Sequence, residues 1–216
     1  AQTAAFRQMP PSAPVDGFPT PQQVIETLDR LTPDNTQIVT DVGQHQMWTA
    51  QYYTFEQPRT FITSGGLGAM GFGLGAAAGA CLAHPDRKTI LVSGDGSFHM
   101  NLNELATLVS YRLPIVDLVM NNTVLGMVRQ WQTVFYDRRY AQTAPHRQTD
   151  LVRLAEAFGA QGFRIERPEQ IEPVLQTALS CGGPCVVDCR ISPDAMVLPM
   201  IPPGGAVQDT INVFME

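Results

Sequence analysis

Short, continuously apolar segments alternate along this chain with longer segments of helical periodicity. Strands that are apolar throughout, and not only at alternate positions, are typical of parallel sheets whose two faces are both covered by helices. The sequence therefore predicts an α/β fold, with a parallel β-sheet and helices on both faces. The predicted strands are TQIVTDV at 36–42, TFITS at 60–64, TILVS at 89–93, IVDLVM at 115–120, GFRI at 162–165 and CVVDCRI at 185–191.

The segments between these strands carry helix signals. Thr20 is placed to cap a helix that starts at Pro21, and Gln23 completes a capping box. A helix rich in Gly and Ala is predicted from Met70 to Ala83, and another from Asn101 to Arg112. Further helices are predicted over residues 44–53, 125–135, 149–158 and 168–180, the third of them closed by Gly159.

Proline-rich ends flank the alternating region. Residues 1–19 carry four prolines and little periodicity, which predicts a linker. Residues 20–191 then form one domain without an internal repeat, and residues 192–216 form a C-terminal tail containing VLPMIPPGG. Because the chain starts with alanine and not methionine, we expect a processed product or an excised piece.

Charge and cysteine usage exclude some classes of protein. The net charge of −6 comes without any cluster of Lys or Arg, so nucleic acid and anionic membranes are disfavoured as partners. The longest apolar candidate, Met70 to Ala83, is too short to span a bilayer. The even spacing of Cys181, Cys185 and Cys189 leaves a metal site open, but reduced thiols packed on one face of a strand are the favoured interpretation. Reduced thiols indicate a cytoplasmic protein.

Two polar side chains follow consecutive long strands. Asp95 comes directly after TILVS, and Asn122 comes just after IVDLVM, with one helical crossover between them. Ligands of parallel sheets bind outside the carboxyl ends of the strands, so both side chains are expected at one edge. A carboxylate and an amide oxygen suit Mg²⁺, while Gly94, Gly96 and Ser97 suit a phosphate. The alternative is that Asp95 only caps a turn.

A second glycine run offers a competing interpretation. Gly66, Gly68 and Gly71 fit the pattern G-x-G-x-x-G and precede a helix, which would suggest an NAD(P)-binding module. The signal is weak because the preceding strand is short and no acidic residue follows at the usual distance. Close packing of a Gly- and Ala-rich helix explains the same residues.

Together these motifs resemble a known family. GDG, then twenty-four residues, then NN is similar to the motif of thiamine-diphosphate-dependent enzymes. TDVGQHQMW, TSGGLGAMGFGLGAAAGA, GDGSFHMN, NNTVLGMVRQWQ, FYDRRY and LPMIPPGG resemble more narrowly the catalytic subunit of acetohydroxyacid synthase (acetolactate synthase). The resemblance runs from about residue 20 to 205 and covers only the C-terminal, diphosphate-binding third of such chains. Gly75 departs from it, because proline is common at that position.

The resemblance implies a role for each matching residue. Asp95, Asn122 and the backbone carbonyl of Val124 are the implied Mg²⁺ ligands. Gly68 and Met70 are the implied catalytic positions, the first through its carbonyl on the aminopyrimidine and the second as the bulky residue under the bent cofactor. The remaining implied contacts to thiamine diphosphate are Gln44, His45, Gly94, Gly96, Ser97 and Met127, and Trp131 is implied in the substrate channel.

The implied enzyme is a transferase of branched-chain amino acid biosynthesis. It decarboxylates pyruvate and condenses the hydroxyethyl enamine with a second 2-keto acid. Its catalytic glutamate lies in a pyrimidine-binding domain, usually of a second subunit, and none of the glutamates of this chain matches it. FAD binds a middle domain that is absent here, so this chain holds only part of the active site.

The resemblance also implies partners and a location. A homo-oligomer is expected, with a regulatory subunit as a further option and an organellar location in a eukaryote. Alternatives are another thiamine-dependent 2-keto acid decarboxylase or oxidase, such as pyruvate oxidase or benzoylformate decarboxylase, and a non-catalytic interaction domain that keeps the fold.

Overall fold

Six parallel strands form the centre of the computed structural model, which describes residues 17–212. Their order across the sheet is β2-β1-β3-β4-β6-β5, and every neighbouring pair is parallel. The predicted α/β fold with a parallel sheet is confirmed. The strands are β1 (Gln37–Thr40), β2 (Phe61–Thr63), β3 (Thr89–Gly94), β4 (Ile115–Asn121), β5 (Gln161–Ile165) and β6 (Cys185–Arg190).

Helices connect the strands. The predicted capping box is present, because Thr20 Oγ1 accepts the Gln23 N–H at 3.2 Å and Gln23 Oε1 accepts the Thr20 N–H at 3.1 Å. Gly159 ends its helix at a φ of 92° in the left-handed region, as expected for a C-terminal cap. The helices are α1 (Pro21–Leu31), α2 (Gln44–Tyr52), α3 (Gly73–Ala83), α4 (Asp95–Asn101), α5 (Leu105–Ser110), α6 (Gly126–Phe135), α7 (Leu151–Phe158) and α8 (Ile171–Leu179), with 3₁₀ turns at Leu102–Glu104, Pro168–Gln170 and Val207–Asp209.

Two predicted helix boundaries are wrong. Helix α3 begins at Gly73 and not at Met70, because Gly71 adopts a φ of 84°, which no right-handed helix contains. The helix predicted from Asn101 to Arg112 begins earlier and is interrupted by the 3₁₀ turn between α4 and α5. Ser97 Oγ accepts the Gly94 N–H at 3.2 Å, so the chain passes from β3 directly into α4. Asp95 therefore starts a helix and does not lie in a loop.

Each face of the sheet carries its own apolar cluster. Side chains of α1, α2 and α8 cover one face, and side chains of α3, α4, α5 and α7 cover the other. Cys185 and Cys189 are buried together in the first cluster, as free thiols. Within residues 17–212 no group of three or more His, Cys, Asp or Glu side chains is placed to hold a metal ion. Burial in the first cluster means that the Cys185 and Cys189 thiols pack as small apolar side chains on one strand face.

Both predicted end segments are only partly described. Residues 1–16 of the linker and residues 213–216 of the tail lie outside the described range, so the predicted domain division stays a prediction. The described part of the tail packs on the domain, with Val197 only 1% exposed. Trp48 Nε1 donates to the Met196 carbonyl at 3.3 Å, which ties the tail to α2. In the described range, no helix is both long and apolar enough to cross a bilayer.

Candidate functional site

The carboxyl ends of β1, β3 and β4 border a cleft. Because β2 and β3 lie on opposite sides of β1, the chain reverses its direction across the sheet at this point, where α/β proteins place their ligands. The cleft has a cavity volume of about 90 Å³ and is partly open to solvent. Its lining includes most of the predicted site residues, namely Gln44, His45, Met70, Gly94, Asp95, Gly96, Ser97, Asn122, Val124 and Met127.

Two predicted site residues lie outside this lining among the described residues. Gly68 is in the exposed loop before α3, with a φ of 68°. Trp131 is 38% exposed on α6, where its ring meets the ring of Phe135 edge-on at 5.3 Å. It follows Met127 by about one helical turn, so both side chains lie on the same helix face. The structure thus places neither Gly68 nor Trp131 in the wall of the cleft.

Asp95 supplies a buried carboxylate at the N-terminus of α4. Only 4% of the residue is exposed, and its Oδ2 lies 3.5 Å from Arg147 Nη1. Burial raises the pKa of Asp95 to about 6, while the positive charges of Arg147 and His99 oppose that rise. A carboxylate that burial disfavours in its charged form is stabilised by a cation, so the position suits a divalent metal ion.

Asn122 is held in a fixed orientation beside Asp95. Its Nδ2 donates to Gln44 Oε1 at 3.2 Å, and its Oδ1 accepts the Val124 N–H at 3.2 Å. Gln44 in turn donates through Nε2 to Gln130 Oε1 at 2.8 Å and to the Ala195 carbonyl at 2.9 Å. These bonds remove the freedom of the amide to rotate. The Oδ1 oxygen therefore stays on the side of the Val124 turn.

Three glycines keep the wall of the cleft free of side chains. A Cβ atom at Gly94 would lie 2.7 Å from His45 Nδ1, and one at Gly96 would lie 2.9 Å from the Leu125 side chain. A Cβ atom at Gly126 would lie 2.0 Å from Gln44 Oε1. Carbon atoms do not approach so closely, so a larger residue at any of these positions would require the contacted side chain to shift. The main chain at the strand ends is thereby open to a phosphate group.

His45 is an uncharged group in the wall. Burial lowers its pKa to about 3, and a hydrogen bond to the backbone of Asp41 only partly offsets the effect. Its Nε2 has no hydrogen-bond partner among the described residues. Buried polar atoms normally have partners, so an unpaired imidazole nitrogen beside a polar cleft is consistent with a ligand that completes it.

A second acidic side chain lies beneath the site, within the sheet. Asp117 of β4 is 1% exposed, and its Oδ1 accepts the Ser93 hydroxyl at 2.7 Å. Its Oδ2 has no partner among the residues that the structure describes. Burial raises the pKa of Asp117 to about 8, with a smaller contribution from the negative charge of Asp41. The Asp117 carboxyl is therefore protonated at neutral pH.

Sequence reasoning missed three residues that support the site from outside the cleft wall. Arg147 lies in an irregular segment without periodicity or motif, so only the folded chain brings it to Asp95. Asp41 and Gln130 lie inside the quoted motifs TDVGQHQMW and GMVRQWQ, but nothing in their spacing marked them. Their partners are separated from them by long stretches of chain, which local patterns do not report.

The fold and the strand-end cleft are those of an α/β domain with a ligand site at the carboxyl ends of its parallel strands. A sequence profile described as "Thiamine pyrophosphate enzyme, C-terminal TPP binding domain" matches residues 41–189, which is more than half of the chain. The chain therefore belongs to this family of thiamine pyrophosphate enzymes. The match favours thiamine pyrophosphate, also called thiamine diphosphate, over a dinucleotide as the ligand near Gly66, Gly68 and Gly71.

Curated proteins extend the comparison. The chain is 42% identical over 201 residues to the probable acetolactate synthase large subunit of Methanococcus aeolicus, covering 91% of this chain and 33% of that protein. It is 45% identical over 192 residues to the acetolactate synthase isozyme 3 large subunit of Escherichia coli (strain K12), covering 88% and 33%. The mitochondrial acetolactate synthase catalytic subunit of Saccharomyces cerevisiae is 42% identical over 200 residues, covering 91% and 29%. The predicted resemblance is confirmed, and the chain spans about a third of the length of these relatives.

Proposed function

We propose that this chain is the part of an acetolactate synthase that binds thiamine diphosphate and Mg²⁺. The whole enzyme would act on pyruvate and a second 2-keto acid, pyruvate or 2-ketobutyrate, to form an acetohydroxy acid for branched-chain amino acid biosynthesis. The observation that carries the proposal is the meeting of Asp95 and Asn122 in one cleft of a chain 42–45% identical to acetolactate synthase subunits.

Asp95, Asn122 and the Val124 carbonyl are the proposed ligands of Mg²⁺. Magnesium in proteins commonly takes one or two carboxylates or neutral oxygens, and water and phosphate complete its six positions. The raised pKa of Asp95, which burial causes, fits this role, because a bound cation would restore the charged form. Gly94 and Gly96 leave the main chain open to the diphosphate beside the metal.

The other site residues are assigned to the organic part of the cofactor. When bound, thiamine diphosphate supplies the carbanion chemistry that decarboxylates 2-keto acids. Met70 supports it from below and, together with the Gly68 carbonyl, holds its pyrimidine end. Gln44, His45, Ser97 and Met127 contact the diphosphate, and Trp131 borders the route of the substrate.

Completion of the active site needs other parts of the protein. We propose a pyrimidine-binding domain of the same or another subunit, which supplies the acid–base glutamate, and hence a homo-oligomer. FAD in a further domain, a regulatory subunit and a cytoplasmic location, or an organellar one in a eukaryote, complete the proposal. Relatives from Saccharomyces cerevisiae and Nicotiana tabacum are named mitochondrial and chloroplastic.

Calorimetric titration of the chain with thiamine diphosphate, with Mg²⁺ or with a chelator, tests the proposed site. Binding is expected only with the metal, and Asp95→Ala is expected to abolish it while the circular dichroism spectrum is retained. Asp86→Ala is the matched control, because Asp86 is exposed and precedes β3 at the end opposite to the cleft. It is expected to bind as wild type. Equal affinity of the Asp95→Ala chain and the wild type would contradict the metal assignment.

A further inference from the structure

Asp41 is a buried acidic side chain at the end of β1. It follows the last strand residue, Thr40, and is 2% exposed. It does not line the cleft, although Val42 and Gly43, the next residues, do. Nothing in the proposed chemistry uses it, so its burial needs another explanation, since charged groups leave water only when they are well paired.

Main-chain donors bind both oxygens of the Asp41 carboxylate. Oδ1 accepts the N–H groups of Val42 at 2.7 Å and of Gly71 at 2.9 Å. Oδ2 accepts the N–H group of Gly73 at 2.8 Å. Hydrogen bonds to an ionised acceptor are stronger than those between neutral groups. Two of these three bonds fix the loop that precedes α3.

Asp41 also supplies the missing N-terminal cap of α3. The residue before the helix, Phe72, makes no side-chain capping bond, and Gly73 is the first helical residue. A negative charge beside the first helical N–H groups favours the helix dipole. A Cβ atom at Gly73 would lie 2.8 Å from Asp41 Oδ2, so the contact depends on glycine at this position.

The loop held in this way carries Gly68 and Met70. Residues 65–70 are exposed and therefore have little packing of their own. Two hydrogen bonds hold Gly71 instead. Its N–H donates to Asp41, and its carbonyl accepts a bond from Asn101 Nδ2 at 3.1 Å. Met70 is the adjacent residue, and its Cε lies 3.8 Å from the position that a Cβ of Gly96 would take. Its methyl group thus extends over the diphosphate side of the cleft.

We propose that Asp41 is a positioning residue, which fixes the Gly71–Gly73 turn and thereby sets Gly68 and Met70 for the organic end of the cofactor. The proposal rests on the proposed function for the identity of that cofactor. This role of Asp41 divides the contacts in the cleft into two groups. The strand-end residues hold the diphosphate, and Asp41 holds the loop that meets the remainder of the molecule.

Asp41→Asn tests this assignment, with Asp86→Asn as the control for loss of one negative charge at an exposed site. Asparagine retains one acceptor oxygen but turns an N–H₂ group toward a main-chain donor. Amide hydrogen exchange of the ligand-free chain is the first measurement. Exchange at Gly71 or Gly73 is expected to become about tenfold faster, as loss of a bond to a charged group allows. Unchanged exchange at both glycines overturns the proposal.

Calorimetry with two ligands is the second measurement. Inorganic pyrophosphate with Mg²⁺ probes the diphosphate side alone, and thiamine diphosphate with Mg²⁺ probes the whole cleft. For Asp41→Asn we expect pyrophosphate affinity within about twofold of wild type and thiamine diphosphate affinity about tenfold lower. Equal losses for both ligands would make Asp41 merely structural and overturn the proposal. A wild-type chain that binds neither ligand would refute the proposed function, while the exchange experiment would still decide whether Asp41 fixes the loop.

Discussion

Replacing Asp117 by asparagine is expected to remove a pH dependence of stability that arises from one buried carboxyl. Burial raises the pKa of Asp117 to about 8 in the folded chain, against about 3.9 for an unfolded aspartate. The folded chain therefore holds this proton more tightly, and a rise in pH favours unfolding. The stabilising contribution is fully present below about pH 4 and is lost as the pH rises through about 8.

The slope of the free energy of unfolding against pH sets the size of the expected difference in stability. A shifted group changes the free energy of unfolding by at most about 1.4 kcal/mol per pH unit between its two pKa values. Asparagine has the same shape, can still accept the Ser93 hydroxyl and does not titrate. From about pH 5 to about pH 7, the stability of Asp117→Asn relative to wild type should thus rise by about 3 kcal/mol. Above about pH 8 the difference should level off.

Urea unfolding followed by far-UV circular dichroism, at one-unit steps from about pH 5 to about pH 9, measures this difference. Asp86→Asn, at an exposed position, is the control and is expected to run parallel to wild type. A difference between Asp117→Asn and wild type that stays constant over this range would refute the reasoning. Asp117 would then be ionised in the folded chain, and its Oδ2 would have a partner that neutralises it.

Four further outcomes are expected. Asn122→Ala should weaken Mg²⁺-dependent cofactor binding less than Asp95→Ala, since it removes a neutral oxygen; an equal loss in calorimetry would argue for another role. Met70→Ala, in an enzyme reconstituted with a pyrimidine-binding domain, should slow deuterium exchange at the cofactor C2 more than it weakens binding, and a normal exchange rate would reduce Met70 to packing. Gly126→Ala should lower the free energy of unfolding by about 1–3 kcal/mol in urea titrations, because the new methyl group overlaps Gln44; unchanged stability would show that Gln44 moves freely. The chain alone should form no acetolactate even with thiamine diphosphate, Mg²⁺ and FAD, because the absent acid–base group typically contributes ~10²–10⁴-fold; turnover by the pure chain would contradict the proposed division of the site.

Strand positions and the strand-end pair were predictable because they follow from short-range rules. A run of consecutive apolar residues identifies a buried parallel strand, and consecutive parallel strands bring their carboxyl ends to one edge. The positions of Asp95 and Asn122 after β3 and β4 were therefore enough to predict that the two side chains lie at the same edge. The structure brings both to the same cleft.

Helix starts and supporting contacts were not predictable, because they depend on residues distant in the sequence. The start of α3 at Gly73 depends on the positive φ of Gly71 and on a hydrogen bond to Asp41, 32 residues away. The partner of Asp95, Arg147, is 52 residues away in a segment without a pattern. Motif resemblance predicted most residues of the cleft wall, but the residues that hold them in place appeared only in the folded chain.

The C-terminal tail packs on the domain and helps to hold the side chains of the candidate site. Gln130 donates to the Val197 carbonyl at 2.9 Å and accepts the Val197 N–H at 2.8 Å, while the same side chain accepts a bond from Gln44, the partner of Asn122. A stop codon a few positions before residue 195 would remove no proposed ligand. It would, however, remove the Ala195 carbonyl to which Gln44 donates and both Val197 bonds of Gln130, and so weaken the support of the Asn122 amide. In a genetic screen, such truncations should give the same phenotype as substitutions of the proposed metal ligands, because both would weaken cofactor binding.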